Sequence, residues 1–358
     1  MDINKLDKNL EVITAIDEPD VVFHDVREEP FDVYGLYDYK NCDRFIRMPE
    51  EESYKVSTPV HNLSLAPAGG RVRFCTDSKY VAINAKMVSI YRGAHFTLVG
   101  GAGFDLYIDD PEFGTSTYKQ TFLPPYNMTD GYTSKAVFGS RKMRYFTINF
   151  PTYSGVCDLH IGIQKDAKLG GGMKYRDMDP ILYYGSSITQ GGCCSRPGNI
   201  YQAVVSRRLN IDFVNLGFSG NAKGERAMAE YIAKQPMSVF VCDYDHNAPN
   251  AAHLAQTHYP FYRVIRDARP TLPIIFMSKC DIDSPAGNHD SRRDAIYETF
   301  RRAREEGDEN VYYIDGTEVY KGPYEDMCTV DRCHPNDLGF ALIADAVEAQ
   351  LRRVLTAR

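Results

Sequence analysis

The apolar pattern changes period near residue 170. Upstream of it, short alternating or β-rich runs (56–60, 71–75, 80–84, 104–108, 145–149 and 157–162) are separated by turn residues such as Pro67, Gly69, Gly70, Gly100, Gly101, Pro124, Pro125 and Gly155. Many short strands with turn signals and no long helical period predict an antiparallel β-sandwich, of the jelly-roll kind. The stretch Lys168-Leu-Gly-Gly-Gly-Met-Lys174 reads as a linker, because three consecutive glycines suit no regular element. A phosphate cradle is the other use of such glycines, but no Lys-Ser/Thr follows and no helix begins there.

Downstream, continuous apolar runs alternate with amphipathic ones. Strands are expected over 181–185, 211–216, 237–243, 272–277 and 311–314, and helices over 199–209, 224–234, 251–268, 290–306 and 338–355. Strands apolar on both faces and alternating with helices predict a parallel sheet covered on both sides. Five of them fit a flavodoxin-like three-layer α/β/α domain, with its site at the carboxyl ends of the strands. A chain of 358 residues is long enough for two domains. The pattern divides it into an N-terminal β-sandwich, 1–172, and a C-terminal α/β domain, 173–358.

Candidate chemistry lies at the ends of those predicted strands. Ile181-Leu-Tyr-Tyr-Gly-Ser-Ser187-Ile-Thr-Gln-Gly191 runs from a strand into a small-residue turn that can present a serine hydroxyl. Asn215-Leu-Gly-Phe-Ser-Gly220-Asn follows the second strand, Asp243-Tyr-Asp-His246-Asn247 ends the third, and Asp331-Arg-Cys-His334-Pro335 precedes the last helix. A serine hydroxyl is a weak nucleophile until a base takes its proton, and a histidine does this at neutral pH. His334 is the candidate base for Ser187, and Asp331 can hold its other ring nitrogen. Attack on an ester builds an oxyanion, for which the backbone N–H groups of Ser187 and Gly220 and the Asn247 amide are candidate donors.

These four blocks, in this order, resemble the SGNH (GDSL-type) hydrolases over about the last half of the chain. In the first half, Gly103-Phe-Asp-Leu-Tyr107 resembles the GxDLY-type β-sandwich that precedes the hydrolase in one branch of that family, as does Cys194-Ser-Arg-Pro-Gly198 after the serine block. The resemblance implies a serine esterase that removes acetyl groups from plant-polysaccharide fragments. Ser187 would be the nucleophile, Gly220 and Asn247 would line the oxyanion hole, and His334 with Asp331 would complete the triad. It implies no metal and no organic cofactor, and an acetylated oligosaccharide as substrate. Two departures stand out. Ser186 replaces the Asp of Gly-Asp-Ser, which is not the proton acceptor in the family. The third block lacks Gly-Asn-Asp, and a one-residue shift would put His246 in place of Asn247 at the oxyanion.

Other residues admit two uses. Arg196 can contact substrate or hold its loop by a salt bridge. His246 can touch substrate, or form an acid/base pair with Asp245, a metal site or a structural hydrogen bond. Cys193, Cys194 and Cys333 beside His334 could suggest zinc, but adjacent cysteines chelate one tetrahedral ion poorly and no Cys-x-x-Cys occurs, so packing thiols are expected.

Composition narrows the rest. A net charge of -7 argues against a nucleic-acid partner. No run of 18 apolar residues suggests a membrane span, residues 1–10 have no apolar signal core, and the nine cysteines form no regular framework; together these predict a cytoplasmic protein. With 25 tyrosines and no tryptophan, any stacking on a sugar ring falls to tyrosine. The sandwich could complete the substrate cleft or support homo-oligomer formation. The rival functions are a lipase, thioesterase or arylesterase using the same triad, and a non-catalytic carbohydrate-binding protein.

Overall fold

The computed structural model describes Asp7, residues 11–280 and residues 289–356. Apart from Asp7, the 1–10 stretch read for a signal core lies outside the described residues. A five-stranded parallel sheet has the order Phe213–Gly217, Ile181–Gly185, Val239–Asp243, Ile274–Met277, Val311–Ile314. Numbered along the chain this is 2-1-3-4-5, the doubly wound order that reverses direction beside its first strand. The central strands are buried at every residue. Their alternate side chains feed two cores, as the twofold strand period requires. Leu182, Tyr184, Phe240 and Phe276 pack beneath helices Arg226–Ala233, Ala251–Ala268 and His289–Glu305. Ile181, Tyr183, Val241 and Ile275 pack beneath Tyr201–Leu209 and Asp337–Thr356. Among the described residues, no helix is long and apolar enough to cross a membrane.

The antiparallel strands lie between Val21 and Gly171. One sheet has four strands and the other six. They share a single core, to which Phe74, Leu106 and Ile148 of one sheet and Ile83, Ala136 and Ile161 of the other contribute. Two sequence expectations fail here. The 56–60 run is helical rather than extended, because helices Glu50–Val56 and Thr58–Ser64 meet at Ser57. The Ser57 hydroxyl accepts the Val60 N–H at 3.2 Å, and Pro59 occupies the first turn, where its missing N–H costs nothing. Local capping outweighs the β-branched residues. Nor is 168–174 a free linker, since Leu169–Gly171 pairs antiparallel with Arg71–Thr76. A Cβ on Gly172 would sit 2.4 Å from the Arg73 Cβ, so a glycine there admits close backbone contact rather than slack.

Buried arginines join the antiparallel region to the parallel one. Arg47 donates to the carbonyls of Leu63 (2.6 Å) and Ala66 (2.8 Å) on its own side, and to Asn215 (3.1 Å) and Gly217 (2.5 Å) at the end of the second parallel strand. Burial lowers this guanidinium to about 9. Arg71 pairs with Asp212 and lies 3.9 Å from the centroid of the Phe213 ring. The two short motifs of the resemblance also meet at this junction. The fully buried Asp105 carboxylate accepts from Asn149 Nδ2 (2.8 Å), Arg196 Nη1 (3.0 Å) and Gly198 N (2.8 Å), and the same Arg196 nitrogen donates to the Tyr107 hydroxyl. A Cβ on Gly198 would lie 2.6 Å from Tyr107 and 2.7 Å from Asp105, so only glycine admits this approach.

Candidate active site

The first three parallel strands end level. Gly185 pairs with Gly217 on one side and with Asp243 on the other, so three loops leave the sheet side by side. Ser187 opens the short helix Ser187–Gln190. The preceding Ser186 is fully buried, and its hydroxyl caps that helix by accepting the Ile188 N–H at 3.1 Å. A serine thus fills the capping position that the Asp of Gly-Asp-Ser would hold. Ser187, whose hydroxyl is left for other work, lies 2.9 Å from Nε2 of His334.

The histidine is held from behind. Asp331 accepts from the His334 ring Nδ1 at 2.7 Å with one oxygen, and from the His334 and Cys333 N–H groups at 2.7 and 3.1 Å with the other. Burial alone would raise this carboxyl; the His334 backbone and ring hydrogen bonds, with that of Cys333, outweigh it and hold the group below its usual range. With Nδ1 committed to the carboxylate, Nε2 is the nitrogen free to take a proton from Ser187.

The other two blocks close the ring. Gln190 accepts the Ser219 N–H at 3.0 Å and donates to the Thr152 carbonyl at 3.2 Å, tying the serine helix to the Gly220 loop and to the antiparallel region. Gly220 has φ +70 and open space where a Cβ would stand. Among the described residues, neither the Ser187 nor the Gly220 N–H has a hydrogen-bond acceptor. Asn247 accepts the Ala222 N–H at 3.3 Å through its carboxamide oxygen. His246 Nδ1 meets the Cys333 thiol at 3.6 Å, beside the base. Asp245 is fully buried and pairs with Arg292 at 2.9 Å. Arg196 stands apart from this group: its hydrogen bonds go to Asp105 and Tyr107, and its guanidinium lies 4.0 Å from the Tyr118 ring centroid. Cys42, Cys75, Cys157, Cys193, Cys194, Cys242 and Cys328 are free thiols.

Several residues at the site carried no signal in the sequence. Tyr153 sends its hydroxyl to the Ser187 carbonyl at 3.3 Å, and burial raises its phenol. It packs with Tyr91 and Phe96 at centroid separations of 4.8–5.0 Å. His95 lies against the base, with ring centroids 5.8 Å apart. All four come from the antiparallel region, more than 30 residues before the serine. Gln190 stands within the quoted serine block, but its bridging role there could not be read.

Residues 178–352 match the GDSL-like lipase/acylhydrolase family, and residues 21–169 match GxDLY, the N-terminus of Esterase_SGNH_hydro-type. No curated protein matches the chain. A candidate GDSL-like lipase from Bacteroides ovatus is 26% identical with a TM-score of 0.83, over 94% of this chain and 98% of that one. A salicylyl-acyltransferase from a tetracycline biosynthetic pathway shares the fold at 18% identity and a TM-score of 0.75, over 95% and 100% of the two chains. A family two carbohydrate esterase from Clostridium thermocellum, solved with cellohexaose, shares it at 16% identity and 0.58, over 81% and 94%. The chain is a member of the GDSL-like (SGNH-type) hydrolases that carries a GxDLY N-terminal region.

Proposed function

We propose that this protein is a serine esterase that hydrolyses O-acetyl esters on carbohydrates, with plant-polysaccharide oligosaccharides as the substrate class. The observation that carries the reading is the chain of contacts Ser187 Oγ–His334 Nε2 (2.9 Å) and His334 Nδ1–Asp331 Oδ2 (2.7 Å). His334 takes the Ser187 proton as Oγ attacks the acetyl carbonyl. The Ser187 and Gly220 N–H groups and the Asn247 amide receive the oxyanion. Collapse forms acetyl-Ser187, and the sugar hydroxyl leaves with the proton from His334. Water then repeats the attack with His334 again as base, which releases acetate and restores Ser187. No metal or organic cofactor enters these steps.

Two features support a small acyl group on a sugar. A Cβ at Gly192 would lie 3.1 Å from both the Ser187 carbonyl and the Tyr153 hydroxyl and 3.4 Å from the His334 ring, so the wall beside the nucleophile is closely packed. Tyr91, Phe96 and Tyr153 form an aromatic cluster next to it, with Tyr91 exposed, and tyrosine offers a sugar ring both a flat apolar face and a hydroxyl. In this reading the unit 1–172 supplies one wall of a crevice built on 173–358. Acetate release from acetylated xylan and mannan oligosaccharides, measured beside p-nitrophenyl esters of increasing chain length, tests it. Equal or faster turnover of long acyl chains would overturn the deacetylase assignment in favour of a lipase or thioesterase.

A further inference from the structure

We propose that the mouth of this crevice is also an inhibitory site for a soft divalent cation, Zn2+ above all, bound by His95, Cys193 and His334. The proposal rests on the reading of His334 as the catalytic base. One ligand atom from each of these residues lies within 4.8 Å of the other two. They come from both regions of the molecule: His95 from a loop of the antiparallel region, Cys193 from the loop behind the nucleophile, and His334 from the last loop. A tetrahedral zinc ion with bonds of about 2.0–2.3 Å spaces its ligands by roughly 3.3–3.7 Å. Closure therefore asks for about 1 Å of movement, which the exposed His95 can supply.

The chemistry of the three groups fits a soft metal. His334 has its Nδ1 held by Asp331, and a carboxylate behind the ring is the arrangement that orients a metal-ligating histidine. Its Nε2 is the coordinating nitrogen. Among the described residues, neither His95 nor the Cys193 thiol has a hydrogen-bond partner that a metal would have to displace. Burial, with the Asp331 charge and Cys333, pushes the Cys193 thiol up to about 12, so it rests as a neutral thiol. Binding converts it to a metal-bound thiolate and releases that proton to solvent. A second cluster, Asp25, Asp158 and His160, has the same spacing, but Arg27 Nη1 already lies 3.7 and 3.5 Å from its two carboxylates and supplies the positive charge. Sulfur and imidazole ligands favour Zn2+ or Cd2+ over Mg2+ or Ca2+. A metal on Nε2 occupies the lone pair that must accept the Ser187 proton, so the bound form is inactive.

The test uses the full chain, treated with chelator and then titrated with ZnCl2. Binding is read by competition with a chromophoric zinc chelator, and ester turnover is followed in parallel. One Zn2+ per chain is expected, with an EDTA-reversible loss of turnover that tracks occupancy. Cys193→Ser and His95→Ala should each weaken binding at least tenfold. With Co2+ in place of zinc, the thiolate charge-transfer band of the wild type should vanish in Cys193→Ser. A zinc-induced rise in melting temperature, present in the wild type and lost in both variants, shows that the variants are folded and lack only the site. Ser187→Ala keeps all three ligands and should bind Zn2+ undiminished although inactive. Activity in that variant would sink the esterase mechanism while leaving the binding data to judge the metal site. Absence of zinc binding in the wild type, unchanged binding in both ligand variants, or equal affinity for Mg2+ would overturn the proposal.

Discussion

Two carboxylate-centred triples flank the loop that follows the serine block, and they share a plan. Asp331, His334 and Ser187 join a carboxylate, an imidazole and a hydroxyl; Asp105, Arg196 and Tyr107 join a carboxylate, a guanidinium and a hydroxyl. The first is partly open, with the His334 and Asp331 side chains 22% and 37% exposed, while the Asp105 side chain is 0% exposed. An imidazole can gain and lose a proton near neutral pH, but a guanidinium holds its proton throughout. The same arrangement thus suits proton transfer in one place and a fixed junction in the other. The nature of the middle residue and the access of solvent make the difference.

The largest expected effect separates the two serines of the turn. Ser187→Ala should lower kcat/KM for an acetyl ester by about 10⁴-fold or more, with the melting temperature held. Ser186→Ala removes only a helix cap and should cost about 1 kcal/mol of stability, measured by urea unfolding. Similar activity losses in both would erase the distinction between nucleophile and cap. Next, Asp331→Asn should cost about 10³- to 10⁴-fold in kcat, because an amide no longer stabilises the imidazolium or fixes the tautomer. The contrasting change is Asp105→Ala, which leaves Arg196 beside a hole that held its counter-charge. It should lose about 3–5 kcal/mol in denaturant unfolding, while the folded fraction keeps kcat within a few-fold. Loss of kcat without loss of stability would make this triple part of the catalytic apparatus after all.

The smallest effect concerns a third carboxyl under the same helix. Asp243 is buried; one oxygen accepts from Thr189 at 3.2 Å, and the other has no hydrogen-bond partner. Burial raises its pKa well above the ordinary value of 3.8. A group with a raised folded-state pKa stabilises the fold while protonated. That contribution is complete below the unfolded value and is lost as pH rises towards the folded one. Asp243→Asn stays neutral at every pH. Its melting temperature relative to wild type should therefore increase between pH 4 and pH 8, and a constant difference would show that Asp243 is ionised in the fold.

Legibility differed between the two regions for a physical reason. In the parallel region each strand is buried on both faces and each helix on one, so burial is written into local period, and the predicted helix over 251–268 coincides with Ala251–Ala268. In the antiparallel region the strands Thr115–Phe122 and Gly131–Val137 carry many polar residues and were not anticipated. Their pairing partners, not their own composition, make them strands. The candidate residues Ser187, Gly220 and Asn247 were readable because their blocks follow the ends of strands, and Asp331 and His334 because theirs lies in the loop before the last helix. Arg196 was readable only as a choice between substrate and salt bridge, and its contacts run to Asp105 and Tyr107.

The sequence by itself determined the doubly wound half, the four blocks and their order, because apolar period and strand-end turns are local properties. Only the tertiary structure decided what the first half brings to the site: Tyr153 on the Ser187 carbonyl, His95 against His334, and the Asp105–Arg196 junction that joins the two regions. Those contacts span 34 to 239 positions along the chain, from Tyr153–Ser187 to His95–His334. At such separations no periodicity records which residues will meet, and only the packing of one sheet system against the other brings them together.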